Sequence, residues 1–228
     1  MAKLFTIAID GPAGVGKSTV AKAVARRLGF AYVDSGATYR AAALKVLESG
    51  VSPDDPERVV EIVAAADIRL EIRGGECRVL LDGEDVESWI RTPEVTLAAS
   101  KVSRLPQVRQ KLVTLQRSVA TDRDVVMEGR DIGTVVLPGA PLKIFLKARA
   151  EERARRRLGQ EQGEGINRTL AETAKAIARR DRLDTERSIS PLVPAADAVE
   201  IDSTALTADR VVERIIDLAK ERKLIETG

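Results

Sequence analysis

The sequence predicts an α/β fold of three layers, in which helices cover both faces of a central parallel sheet. Short apolar runs alternate with longer amphipathic segments along the 228 residues. A glycine-rich loop joins the first apolar run to the first amphipathic segment, as is typical of such sheets. The interval 67–100 breaks the alternation and predicts an inserted antiparallel piece.

The first predicted strand, residues 4–9, leads into a loop with the pattern G-x-x-x-x-G-K-[ST], and an apolar stripe at helical spacing follows at 20–28. The loop consists of Gly11, Pro12, Ala13, Gly14, Val15, Gly16, Lys17, Ser18 and Thr19. Its glycines let successive N–H groups converge on phosphate oxygens, and the N-terminus of the next helix adds partial positive charge. Lys17 can reach the β- and γ-phosphates, and Ser18 can place its hydroxyl on Mg²⁺. We expect this P-loop to bind a nucleoside triphosphate with Mg²⁺, rather than to be a glycine-rich turn with a solvated lysine.

Length and composition fit one compact enzyme. With 44% hydrophobic and 32% charged residues, the chain can bury one sizeable core and carry a smaller lobe. The net charge of +2 is too small to indicate a nucleic-acid partner. Cys77 is the only cysteine, and no apolar run is long enough to span a membrane. We expect a cytoplasmic monomer with no membrane or nucleic-acid partner.

The remaining elements alternate along the chain. Further strands are predicted at 31–34, 124–127, 142–146 and 198–201. Helices are predicted at 37–49, 107–120, 150–158, 170–182 and 208–222. In the second of these helices an apolar stripe is typical of packing on a core, and its members are Val108, Leu112, Leu115 and Val119.

The inserted interval contains alternating apolar and charged residues at 68–72, a two-residue turn at Gly74-Gly75 and a second apolar run at 79–81. Thr92 and Pro93 then start a helix as N-cap and first helical residue. We therefore predict a core formed by residues 1–66 and 101–228 and an inserted subdomain at 67–100.

An arginine-rich segment precedes an irregular stretch at 159–165 that is rich in glycine and charge. Its arginines are Arg153, Arg155, Arg156 and Arg157. One interpretation is a solvated helix end that leads into a loop. The other is a mobile lid at about residues 153–168, which would exclude water and neutralise a triphosphate.

The P-loop alone does not separate a kinase from a GTPase or an ATP-driven motor. A GTPase usually reads guanine with Asn-Lys-x-Asp, and the only asparagine, Asn167, is followed by Arg168. A motor would need an apolar run that ends in paired acids, and no such run is recognisable. The absence of histidine also removes the commonest general base.

Polar segments follow the predicted strands, where ligands bind in open α/β sheets. Residues 34–40 follow the second strand and 128–134 the third, and two more segments lie at 179–187 and 190–197. With the P-loop, the patterns D-S-G-A-x-Y-R, E-G-R-D-I-G-T and R-D-x-x-D-x-x-R…S-P-L-x-P-A-A-D resemble the bacterial type of cytidylate kinase. The resemblance covers almost the whole chain, including the inserted antiparallel piece.

The resemblance implies a P-loop kinase that moves the γ-phosphoryl group of ATP to CMP or dCMP, with 67–100 in the acceptor-binding domain. It implies that Arg40 and Arg130 grip the acceptor phosphate and that Arg180 and Asp184 contact its sugar and phosphate region. The same likeness places further residues beside the transferred group, namely Arg187, Arg153 and Arg157. The acceptor site would also include Asp34 and Ser35. The alternative for these arginines is a set of surface ion pairs.

The sequence leaves two roles open for Asp34 and Glu128. Each can hold Mg²⁺ through water or orient neighbouring arginines. Cytosine presents an amino donor at N4 and acceptors at N3 and O2. The resemblance assigns the reading of these groups to Ser100, Arg109 and Asp131. A serine within a helix can also be structurally neutral.

The chemistry needs no imidazole, because a phosphate acceptor with a second pKa of about 6 is already largely a dianion near pH 7. Positioning and charge neutralisation then carry catalysis. The alternatives are a UMP/CMP kinase, a kinase for a shikimate-like alcohol or coenzyme precursor, and a nucleotide switch with negligible turnover. The alcohol would need a base, for which Asp34 is the obvious candidate.

Overall fold

The structure is a computed structural model that describes residues 4–163 and 165–225. Its strands are β1 (Thr6–Asp10), β2 (Ala31–Asp34), β3 (Ile68–Arg73), β4 (Glu76–Leu81), β5 (Glu84–Asp85), β6 (Val125–Gly129), β7 (Leu142–Lys147) and β8 (Val199–Asp202). Its helices are α1 (Lys17–Leu28), α2 (Ser35–Glu48), α3 (Pro56–Ala65), α4 (Pro93–Val102), α5 (Pro106–Val119), α6 (Ala150–Gly163), α7 (Leu170–Thr185) and α8 (Ala208–Glu221). A π-helical turn covers Ile132–Val136.

Within the described residues the strands form one sheet in the order β3-β4-β2-β6-β1-β7-β8, with β5 beside β4. The strands from β2 to β8 in this order pair in parallel. Their carboxyl ends therefore lie at one edge, where a site is expected. The α/β fold class predicted from the sequence is confirmed.

The inserted strands β3 and β4 form an antiparallel hairpin. Gly74 and Gly75 lie in its turn with φ angles of 59° and 81°, which glycine adopts without steric cost. The hairpin also pairs with β2 through Tyr32 and Glu76. The inserted piece thus continues the central sheet. The division into a core and a 67–100 subdomain stays a prediction.

Side chains of the sheet face two apolar layers. Ile7 and Ile9 pack with α1 and α8 on one face, whereas Ala8 packs with α5 residues such as Val113 on the other. A third cluster joins α2, α3, α4 and α5 to the inserted hairpin. In the predicted α5 stripe, Leu115 is partly buried and the other three residues are buried. This packing holds the carboxyl edge of the sheet in place.

Two elements differ from the sequence-based prediction. Helix α3 was not predicted, although Asp55 caps it and Pro56 occupies its first turn. Helix α6 continues to Gly163, so most of the predicted irregular stretch at 159–165 is helical. The reason is long-range: Glu161 is buried against α7 and accepts a hydrogen bond from Thr173 at 3.0 Å.

Candidate active site

A cavity of about 1100 Å³ lies at the carboxyl edge of the sheet, between the P-loop, α4 and the helices α6 and α7. It brings together most of the predicted site residues. These are the P-loop residues 13–19 and Asp34, Ser35, Arg40, Ser100, Arg130, Asp131, Arg157, Arg180, Asp184 and Arg187. Four predicted residues do not line it, namely Gly11, Pro12, Arg109 and Arg153.

The backbone of the P-loop requires glycine at specific positions. Gly11, Gly14 and Gly16 have φ angles of 151°, 72° and 96°, a range that L side chains rarely adopt. A Cβ atom at Gly14 would also lie 2.6 Å from the carbonyl oxygen of Arg153. The loop therefore curls tightly against the start of α6.

Lys17 is buried at the start of α1, and its Nζ donates to the carbonyl oxygen of Pro12 at 2.8 Å. Burial, with the positive charge of Arg130, lowers the pKa of Lys17 to about 7. Ser18 lies beside it, exposed, in the cavity wall. The amine and hydroxyl thus lie where the sequence predicts a triphosphate and its metal.

Oxygen atoms from β2 and β6 complete this part of the wall. The hydroxyl of Tyr32 donates to Glu128 Oε1 at 2.9 Å, within the protein interior. The Ser35 hydroxyl donates to the carbonyl oxygen of Glu128 at 2.7 Å. Glu128 and Asp34 both line the cavity with Ser18. The group offers hard oxygen atoms of the kind that Mg²⁺ prefers.

Asp34 orients an arginine. It caps α2 by accepting from the N–H of Ala37 at 3.2 Å, and its other oxygen pairs with Arg40 at 2.7 Å. Although burial acts in the opposite direction, Arg40 keeps the pKa of Asp34 below its usual value. Of the two roles left open by the sequence, these contacts favour the orienting one.

Asp184 anchors a cluster of guanidinium groups. It pairs with Arg130 at 2.7 Å, and its backbone oxygen accepts from Arg187 Nε at 3.2 Å. Burial opposes ionisation, but Arg130 and Arg180 hold the pKa of Asp184 below its usual value. Burial and Arg130 lower the pKa of Arg180 to about 10. The cluster therefore holds more positive than negative charge.

Three buried guanidinium nitrogens in the cavity wall have no hydrogen-bond acceptor among the described residues. They are Arg40 Nε, Arg180 Nε and Arg187 Nη2. An unsatisfied buried donor costs about 1–3 kcal/mol, more when it is charged. Several such donors around one cavity indicate a ligand with many negatively charged oxygens.

The predicted base-reading residues lie at the α4 side of the cavity. Asp131 is buried in the wall, and Arg109 lies behind it and pairs with it. Arg109 also donates to the Ser190 hydroxyl at 3.2 Å and stacks on the Tyr39 ring at 5.4 Å. Burial outweighs Arg109 and raises the pKa of Asp131. In this arrangement Arg109 orients Asp131.

Ser100 lines the cavity as predicted, although its hydroxyl donates to the carbonyl oxygen of Thr96 at 3.2 Å. That bond is the structurally neutral arrangement that the sequence left open. The hydroxyl keeps its acceptor lone pairs. Its contact with a base stays a prediction.

The lid arginines have different partners. Arg153 donates to the carbonyl oxygen of Ala13 at 3.0 Å and pairs with Asp181. Arg157 and Arg168 both face the cavity and bind the carboxylate of Glu161 at 3.1 and 3.2 Å. The structure thus places Arg153 as an anchor of the P-loop and only Arg157, of the two predicted lid arginines, in the wall.

Ser203, Leu206 and Asp10 escaped the sequence analysis, which named Arg156 only as a member of the arginine-rich segment. Arg156 donates to the Ser203 hydroxyl at 3.0 Å and carbonyl oxygen at 2.6 Å, and both residues line the cavity with Leu206. The signal for this contact in the sequence was the position of Ser203 shortly after a predicted strand. Asp10 holds two backbone N–H groups next to Asp131. Its signal was a carboxylate directly before the P-loop.

Comparison with known proteins gives consistent likenesses. The profile of the family described as Cytidylate kinase matches residues 7–221. The protein named Cytidylate kinase in Desulfitobacterium hafniense is 49% identical over 228 residues, 100% of this chain and 97% of its own. The one in Caldanaerobacter subterraneus subsp. tengcongensis is 51% identical over 215 residues, 94% of each chain. A solved structure of an uncharacterized protein from Eubacterium ventriosum has a TM-score of 0.52 at 14% identity, over 96% of this chain and 99% of its own, and supports the fold alone.

Proposed function

The chain belongs to the cytidylate kinase family, and from this premise we propose that it transfers the γ-phosphoryl group of ATP to CMP or dCMP in the cavity described above. The observation that carries the proposal is the set of three arginines in one cavity wall that each have a buried guanidinium nitrogen without an acceptor. Two facing phosphates supply the acceptors that these donors need. Asp131, also in this wall, supplies a carboxylate that can accept from the N4 amino group of cytosine.

The donor nucleotide fits the end of the cavity next to α8. Arg156, Leu206 and Thr207 line this end together with the P-loop. The guanidinium of Arg156 is fixed by Ser203 and by Glu152 at 3.0 Å. A fixed guanidinium beside apolar side chains can stack on the face of a purine. We therefore assign the base of ATP to this end and the acceptor to the end at Asp131.

Catalysis requires the two phosphates to approach in line against their like charges. Lys17 would neutralise the donor, while Arg40, Arg130, Arg180 and Arg187 would hold the acceptor phosphate and the transferred group. The acceptor dianion attacks directly, so no general base is needed. Lys17, Arg40, Arg130 and Arg187 are held by hydrogen bonds to protein oxygens before the substrates bind, which is the condition for electrostatic stabilisation of a transition state.

Mg²⁺ fits the same assignment. Within residues 4–163 and 165–225, no three His, Cys, Asp or Glu side chains form a group that could hold a metal. A bound Mg²⁺ would therefore rest on the Ser18 hydroxyl, the phosphate oxygens and water, with Glu128 nearby in the wall. When bound, it neutralises charge on the β- and γ-phosphates.

The alternatives are less well supported. A kinase for an alcohol acceptor would need a free base, but the Asp34 carboxylate is occupied by Arg40 and the N–H of Ala37. The family also disfavours a nucleotide switch without turnover.

No described helix has the length and apolar character needed to cross a membrane. The cytoplasmic location, the monomeric state and the mobility of the lid stay predictions.

A coupled ADP-release assay tests the proposal across CMP, dCMP, UMP, AMP, GMP and shikimate. We expect CMP and dCMP to be the preferred acceptors. Lys17→Ala serves as the control for contaminating kinases, and it should lose about a hundredfold or more of the activity, the scale expected when one preorganised donor is removed. Preference for UMP, AMP or shikimate would contradict the assignment.

A further inference from the structure

A buried carboxylate lies at the junction between the P-loop and the acceptor-binding segment. Asp10 is the last residue of β1, directly before Gly11, and is 5% exposed. In the sheet it lies beside Gly129 at the end of β6. Asp10 therefore joins the strand that carries the donor loop to the strand that leads into Arg130 and Asp131.

Asp10 makes two hydrogen bonds to this neighbouring segment. Its Oδ1 accepts from the N–H of Ile132 at 2.8 Å and its Oδ2 from the N–H of Gly133 at 2.8 Å. Both N–H groups lie at the start of the π-helical turn, where backbone donors lack partners within the helix. Asp131, the N-cap residue, makes no side-chain cap. Asp10 thus caps the turn from another strand.

The segment between the two strands is closely packed. A Cβ atom at Gly129 would lie 2.4 Å from Ser35 Oγ and 2.7 Å from Ile132 Cδ1. At Gly133 it would lie 3.1 Å from the Lys143 side chain and 3.4 Å from Asp10 Oδ2. Since the acceptor-facing side chains at 130 and 131 lie between these glycines, their positions depend on how the segment is held.

The carboxylate suits this contact better than an amide. A carboxylate offers one oxygen to each of two N–H groups, whereas asparagine has a single carbonyl oxygen and would turn its NH₂ group toward the second donor. Burial raises the pKa of Asp10 to about 6, against the effect of the two N–H groups. The group is therefore mostly ionised above pH 7, and the chain retains a buried charge that is costly on its own.

We propose that Asp10 is a positioning residue for the acceptor nucleotide, which fixes residues 130–133 against the P-loop. Asp10 does not line the cavity formed by the described residues, so it acts through Ile132 and Gly133. The inference rests on the proposed function and deepens it. Arg130 and Asp131 then meet the acceptor at a set distance from the donor held by Lys17.

Asp10→Asn tests the proposal through separate readouts for the two substrates. At pH 7.5, losing one buried acceptor should lower kcat/KM for CMP at least about tenfold, mainly through KM. The ratio of kcat/KM for CMP to kcat/KM for UMP should fall. The Kd for ATP should change less than about threefold, because the P-loop contacts remain. The proposal would be overturned if ATP affinity fell by the same factor as kcat/KM for CMP. An unchanged ratio of kcat/KM for CMP to kcat/KM for UMP would also overturn it.

Asp124→Asn is the matched control. Asp124 also accepts a backbone N–H, from Phe5 at 2.6 Å, but it precedes β6 at the opposite end of the strand from Gly129. This variant should leave all three readouts unchanged. If the unmodified enzyme does not phosphorylate CMP, the proposed function fails. If it does and Asp10→Asn behaves identically, only the role of Asp10 fails.

A second measurement needs no variant. A ligand that binds only the anchored form lowers the equilibrium population of the locally open form by a factor of 1 + [L]/Kd, and amide exchange slows by the same factor when closing is faster than exchange. CMP at a hundred times its Kd should therefore slow amide hydrogen exchange at Ile132 and Gly133 by up to about a hundredfold, measured by NMR on the unmodified protein. The proposal would be contradicted if adding CMP left the exchange rates of these two amides unchanged.

Discussion

At the scale of single residues, Lys17 carries a charge that depends on pH near neutrality, because burial and Arg130 lower its pKa to about 7. A triphosphate places negative charge beside the amine and raises its pKa again. At pH 8 much of the amine is neutral in the free enzyme, so ATP binding should be accompanied by proton uptake. We expect calorimetry in buffers of different ionisation enthalpy to detect this uptake at pH 8 and a smaller uptake at pH 6.

Lys17→Arg is the control for this measurement, because a guanidinium stays charged at pH 8. Its proton uptake on ATP binding should be close to zero. Equal uptake by the two proteins would show that Lys17 is not the group that titrates.

Asp184 gives a second prediction at this scale. It pairs with Arg130, which the proposed function assigns to the acceptor phosphate. Asp184→Ala should therefore lower kcat/KM for CMP at least about tenfold, because it leaves a buried guanidinium without its partner. The Kd for ATP should change far less. The control is Glu186→Ala, which removes an exposed ion pair with Arg182. A collapse of ATP affinity in Asp184→Ala would move the acid to the donor side.

At the scale of elements, α6 and α7 are both tied to the P-loop through Ala13. Asp181 in α7 accepts from the N–H of Ala13 at 3.0 Å, and Arg153 in α6 donates to its carbonyl oxygen at 3.0 Å. Asp181→Ala should raise KM for ATP by about tenfold by freeing one loop donor and one guanidinium. KM for CMP should stay the same. A larger effect on CMP than on ATP would show that this contact serves the acceptor.

The elements also show what sequence could predict. The P-loop and the strands before the polar segments were predictable because their signals are local. Helix α3 carried a local signal too, with Asp55 and Pro56 at its start, and was missed. The end of α6 was not predictable, since it depends on the burial of Glu161 against Thr173 twelve residues later.

Site contacts between distant residues were beyond a single sequence. Arg109 donates hydrogen bonds to Asp131, which is 22 residues away in the sequence, and to Ser190, which is 81 residues away. The resemblance placed Arg109 at the base, but its position behind Asp131 follows from the packing of α5 against the rest of the fold. The pairing of the inserted hairpin with β2 is likewise a non-local contact.

At the scale of the whole molecule, the fold brings charges from separate elements to one cavity. Arg40 comes from α2, Arg130 from the segment after β6, Arg180 from α7 and Arg187 from the segment after it. Lys17 belongs to α1 at the P-loop. One parallel sheet fixes the P-loop and the 130–133 segment side by side. Under the proposed function, this architecture would hold two phosphate groups in one cavity, and the residues at its acceptor end would select the base.

Under the proposed function, Asp131 reads cytosine at that end. UMP presents a carbonyl oxygen where CMP has an amino group, so it would face the Asp131 carboxylate with a mismatch that costs about 1–3 kcal/mol. Because Arg109 lies behind Asp131 and does not line the cavity, this one mismatch sets the expected preference, and the unmodified enzyme should prefer CMP by about tenfold or more.

The most direct test is kcat/KM for CMP and UMP in the unmodified enzyme and in Asp131→Ala. The variant loses both the N4 contact and the repulsion against UMP, so the preference should narrow mainly through a fall in CMP activity. An unchanged CMP-to-UMP ratio would show that Asp131 does not read the base, and equal use of both nucleotides by the unmodified enzyme would contradict a cytidylate-selective acceptor site.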